Sequence, residues 1–118
     1  MTISSIVKLP AAGADPITDI LDGWTIVDGS PTMKTWVLHT SADGSMISGQ
    51  WEATPGTFRA IYDGFEFVHL LAGKLTITPD GGTPVHLKAG DTFMVEPDFN
   101  GTWKIEETVR KHFTARIA

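Results

Sequence analysis

The 118-residue chain has no cysteine. That excludes a disulfide, a thiolate nucleophile and a thiolate metal centre. Basic residues are few and scattered: nine Lys and Arg stand against fourteen Asp and Glu, a formal charge of −5 with no basic run. Neither nucleic acid nor an anionic membrane is therefore an expected partner. No apolar run approaches the length of a membrane span. The opening MTISSIVKLPAAG lacks the long apolar core of a signal peptide, so a soluble cytoplasmic protein is expected. Phosphate-loop patterns are missing, and no helix follows Gly81-Gly82 to make it one. No Ser–His–Asp order can be argued. Helical signals are almost absent as well. One segment, ITDILDG after Asp15-Pro16, has an Asp suited to the N-cap, a Pro suited to the first turn and Gly23 to close it. It predicts a single short helix.

What remains is strand and turn at regular spacing. Residues 1–32 read as an N-terminal arm, with an edge strand over Ile3 to Lys8, the short helix, and a brief strand at Trp24 to Val27. From residue 33 to 118 the pattern is one β domain. Strands are expected at Met33 to Thr40, Ser45 to Thr54, Thr57 to Tyr62, Glu66 to Ala72, Thr92 to Val95, Thr102 to Glu106 and Val109 to Ile117. A hairpin joins Lys74 to Thr78 with Pro84 to Leu87 around Pro79-Asp80-Gly81-Gly82. Gly73 is read as ending the Glu66 strand. Short strands at such intervals describe an all-β sandwich or barrel.

Alternation assigns faces. Glu66 shares parity with Val68, Leu70 and Ala72, so a carboxylate points into the core. Such a group needs a metal, a cation or hydrogen-bond donors, because burying it alone costs several kcal/mol. Lys111 shares parity with Val109, Phe113, Ala115 and Ile117. Either it faces inward and neutralises Glu66, or it sits at the barrel mouth and snorkels to water. His69, His86 and His112 take outward parity, while His39 shares parity with Val37 and can face inward. Phe67, His69 and Leu71 form an outward row whose apolar members suggest burial against another sheet or a second subunit.

Glycine-punctuated strands with Glu66, then Gly73, then Gly90-Asp91 resemble the cupin superfamily. The segments WEATPGTF, EFVHLLAG, ITPDGG, GDTF, GTW and VRKHF are similar to the small single-domain cupins related to ureidoglycine aminohydrolase and to the ethanolamine-utilisation cupin. That resemblance implies a double-stranded β-helix, or jelly roll, and a dimer. It also implies where a metal would sit, and there this chain departs. The two histidine positions of the first motif fall on Ala60 and Tyr62, the glutamate on Glu66, and the last histidine on Gly101, with Trp103 two residues on. In the second motif Glu96 and Asp98 stand where proline and glycine are usual. One ligand of four survives, too few for a divalent ion, so neither metal nor cofactor is expected.

The candidate ligand-binding residues are Tyr62, Glu66, Trp103 and Lys111, with Trp51 and Phe58 either lining the same pocket or packing the core. Tyr62, Glu66 and Lys111 are also the candidates for acid–base work, since coupled burial shifts pKa values. Three readings follow: a metal-free barrel that binds a small metabolite, a hydrolase or isomerase acting on a small nitrogenous or carbohydrate-like metabolite, and a structural dimer whose barrel is filled.

Overall fold

The computed structural model describes residues 5–117. Eight strands follow one another: β1 (Trp24–Asp28), β2 (Met33–Thr40), β3 (Met46–Ala53), β4 (Gly56–Ile61), β5 (Glu66–Pro79), β6 (Val85–Lys88), β7 (Thr92–Val95) and β8 (Asn100–Arg116). All pairings are antiparallel, and β5 and β8 carry the architecture. They lie side by side along most of their length. The first half of β5 also pairs β7, and its second half pairs β6. The second half of β8 pairs β3, which pairs β2, while its first half pairs β4, which pairs β1. Two sheets thus share two long strands and curl around one core, the jelly roll expected of the sequence.

Gly73 does not end a strand. It is the corner at which β5 passes from one sheet to the other, and register shifts crowd around it between Leu70 and Leu75. Its φ of +89° lies in the left-handed region, and a Cβ there would stand 2.2 Å from the Thr108 carbonyl oxygen. Only glycine meets both demands. The Ala89–Asp91 turn caps the same corner: Ala89 N–H donates to Gly73 O, Gly90 N–H to Leu70 O, and Leu70 N–H to Asp91 O. On β8 the polar run Glu106-Glu107-Thr108 marks the matching bend. The two strands expected from sequence on either side of it are one.

The predicted helix is absent. Ile17 instead forms a two-way bridge with Thr35 of β2, each N–H donating to the other's carbonyl at 2.8 Å. A helix of about two turns has too few internal bonds to repay its nucleation, and a free strand edge offers partners at once. The edge strand expected at Ile3 to Lys8 begins outside the described residues, and Ser5 to Lys8 are not in a strand. The sheet does take in β1, ahead of residue 33. The core is aromatic and aliphatic: Met33, Trp51, Phe58, Val68, Leu70, Leu75, Trp103, Ile105 and Val109 are buried almost completely. No helix among the described residues is long and apolar enough to cross a membrane.

Candidate functional site

Inward parity on two strands brings together the groups that the sequence singles out. Lys111 on β8 is the register partner of Trp51 on β3 and of Leu70 on β5, and Thr35 on β2 completes that row. Glu66 stands four residues before Leu70 on β5, opposite Ala115. The ion pair therefore forms across the curve of the sheet and not between register partners. Lys111 Nζ donates to Glu66 Oε2 at 2.7 Å, and both residues are buried, 2% and 5% exposed. The other carboxylate oxygen, Oε1, accepts the Tyr62 hydroxyl at 2.5 Å. The Lys111 ammonium also lies 4.5 Å from the centroids of both the Trp51 and Trp103 rings, with Phe113 at 5.7 Å. The negative ring faces favour a cation there.

Burial pushes the Lys111 amine below its ordinary pKa, and the Glu66 charge and hydrogen bond oppose that fall. The Tyr62 phenol is pushed well above 10.0, first by desolvation, then by the Glu66 charge beside it and by the hydrogen bond. Tyr62 is accordingly a hydroxyl donor, and Glu66 is held between two donors.

The group borders a cavity of about 500 Å³. Tyr62, Glu66, Lys111 and Trp51 line it, with Trp24, Ile47 and Phe113 as apolar wall and Asp22, Asp63 and Arg116 at the mouth. The loop between β4 and β5 forms part of the rim and is pinned. Arg116 N–H donates to Phe65 O at 3.0 Å, and a Cβ on Gly64 would meet Arg116 O at 2.1 Å.

Two expected wall residues lie behind the wall. Phe58 and Trp103 are both fully buried and are absent from the cavity lining. The residue that covers them is Trp24, which the sequence reading left out of the site. Its ring lies 5.4 Å from Trp51, 5.7 Å from Phe58, 6.0 Å from Tyr62 and 5.1 Å from Trp103. Register explains the placement: Trp24 pairs Ala60, and Ala60 pairs Gly101. Two of the three expected histidine positions, Ala60 and Gly101, thus carry a methyl group and nothing, and an indole from the next strand fills the room they leave. Its one available signal was that pairing, since β1 is a short edge strand with no clear alternation.

The donor set does not fit a metal. Among the described residues no group of three or more His, Cys, Asp and Glu side chains converges. Glu66, the surviving ligand, is engaged by an ammonium and a phenol. The histidines lie elsewhere: His69 Nδ1 is 2.9 Å from Thr92 Oγ1, His86 Nδ1 is 2.9 Å from Thr76 Oγ1, His112 is exposed, and His39 is not in the cavity lining. Three further polar atoms, Thr35 Oγ1, Trp51 Nε1 and Trp103 Nε1, are buried with no partner among the described residues.

Comparison with known proteins agrees with this architecture. EutQ from Clostridium difficile superposes with a TM-score of 0.64 at 19% identity, over 74% of this chain and 69% of that one. The ethanolamine utilization protein Q of Salmonella typhimurium gives 0.62 at 22% identity, over 75% and 70%. A DUF861-family protein from Thermotoga maritima gives 0.53 at 31% identity, over 54% and 73%. No protein of curated function matches the chain. The EutQ-like cupin domain family matches residues 40–113. With that match over more than half of its length, the chain belongs to the EutQ-like cupin domain family.

Proposed function

We propose that this chain is a metal-free cupin that binds a small metabolite in its barrel, with the Lys111 ammonium standing where a metal ligand set would need a cation. The observation that carries the reading is the buried Lys111–Glu66 contact of 2.7 Å on the wall of a cavity of about 500 Å³. That volume is in the range of small-molecule sites, and aromatic walls with a few polar groups are their usual lining. The same cavity weighs against the filled-barrel reading, which needs Tyr62 and Trp103 to close the interior.

A hydrolase or isomerase using Tyr62, Glu66 and Lys111 is less well supported. A general base must be free to take a proton, and Glu66 already accepts from a phenol and an ammonium. Both carboxylate oxygens are thus engaged by donors within the protein.

A homodimer belongs to the same proposal. Phe67 and Leu71 are 43% and 41% exposed on the outer face of β5, and Met94, the register partner of Phe67 on β7, is 48% exposed. A contiguous apolar surface of this kind is suited to a second copy of the chain. A cytoplasmic location is inferred from composition. Native mass spectrometry of the untagged protein tests ligand and assembly together. The expected spectrum is a dimer carrying a small mass that is lost on denaturation. A bare monomer that retains nothing after exposure to a metabolite extract would count against both.

A further inference from the structure

We infer that the cavity takes an uncharged ligand that donates hydrogen bonds, an alcohol or an amide N–H, and turns carboxylates away. This rests on the cavity being a ligand site and adds what kind of ligand it holds. Hydrogen-bonding capacity decides which ligand fits. The single Tyr62 hydroxyl proton goes to Glu66 Oε1. Lys111 gives an N–H to Glu66 Oε2, and the rings of Trp51 and Trp103, each 4.5 Å from the ammonium, close over the rest of it. Lys111 is 2% exposed. Its donors are therefore spent or covered. Glu66 has spare acceptor capacity, since an ionised carboxylate offers about four lone-pair sites, and a phenol oxygen accepts as well as donates. The polar floor of the cavity thus offers acceptors.

The other buried donors do not change the balance. Trp51 Nε1, Trp103 Nε1 and the Thr35 hydroxyl lack partners, but they have essentially no accessible surface. At the mouth stand two carboxylates, Asp22 and Asp63, and one guanidinium, Arg116. Charge sorts the ligand further. Glu66 and Lys111 cancel, so the floor holds no net charge for an ion to pair with. A carboxylate ligand would set acceptor against acceptor and lose its hydration. An ammonium would enter beside Lys111, a like charge. An uncharged donor meets neither penalty, and Trp24, Ile47 and Phe113 take its apolar body.

Three probes of matched shape test this: benzyl alcohol, benzoate and benzylammonium. Binding is read from tryptophan fluorescence and from the Trp24 indole N–H resonance. Benzyl alcohol is expected to bind roughly tenfold tighter than either ion, the worth of one hydrogen bond made or denied. Glu66→Gln brings amide donors to the floor and leaves Lys111 uncompensated. In that variant benzoate should overtake the alcohol by about tenfold. Benzoate or benzylammonium binding best to the unaltered protein would overturn the inference, as would an unchanged ranking in Glu66→Gln. Should that variant not fold, the ranking on the unaltered protein decides alone. If no probe moves the Trp24 resonance, the cavity is not a ligand site, and the underlying reading fails with this one.

Discussion

The residue that decides the character of the site is Lys111. A buried ammonium is costly, and here a carboxylate at 2.7 Å and two indole faces at 4.5 Å hold it. Removing one partner of a buried pair costs more than the pair contributes, because the other charge is left alone. Lys111→Met should therefore lower stability by about 3–5 kcal/mol in denaturant titrations, with part of the loss recovered in the Lys111→Met, Glu66→Gln double variant. A change near zero would mean that the pair does not form. Tyr62 gives a second test, because it is the only tyrosine of the chain. Its phenol is held above 10.0. A raised value means that the folded state keeps a proton which the unfolded state gives up. The stability tied to that proton is complete below about pH 10 and is lost as the pH rises through the folded-state value. Tyrosinate absorbance should appear only at the onset of alkaline unfolding. An ordinary titration near 10 in the folded protein would contradict the buried hydrogen bond to Glu66.

Legibility at this scale followed parity. Glu66 with Val68 and Leu70, and Lys111 with Val109 and Phe113, gave the inward faces, because side chains in a strand alternate without exception until a bulge intervenes. Their contact was legible only as one of two alternatives, the other being a lysine that reaches water at the barrel mouth. Lys111 is the register partner of Leu70, and it reaches Glu66 only because the sheet curls. Trp24 was illegible for a related reason. Its role comes from standing beside Ala60 and Gly101, a pairing between distant strands that no local pattern announces.

At the scale of the element, the informative positions are the corners. A glycine in strand-type sequence reads as a terminator, yet Gly73 lets β5 turn from one sheet into the other. The difference lies in what it touches, the Thr108 carbonyl of the neighbouring β8. Gly73→Ala combines a positive φ with a Cβ 2.2 Å from a backbone oxygen that has no freedom to move. The expected loss is about 2–4 kcal/mol, more than strain at φ alone, read from the thermal midpoint. A loss under about 0.5 kcal/mol would mean that the corner relaxes at little cost. The helix predicted after Pro16 failed on the same kind of non-local term. Capping residues were all in place, but a bridge between Ile17 and Thr35 at the open edge of β2 offered the segment two hydrogen bonds directly.

At the scale of the whole molecule, the chain keeps the jelly roll of its family and holds the Lys111–Glu66 pair inside it. The shared architecture needs only the two long strands, their corners and an aromatic core, and each of these is present. Metal binding needs several donors converging on one point. Here those positions carry Ala60, Tyr62 and Gly101, and the charge of Glu66 is met by Lys111. Elemental analysis of the protein, purified without an affinity tag or chelator, tests this most directly. No divalent metal is expected in stoichiometric amount, with the folded protein unaltered by chelation. A metal near one per chain would contradict it, because the carboxylate taken here as the partner of Lys111 would then be serving as a ligand.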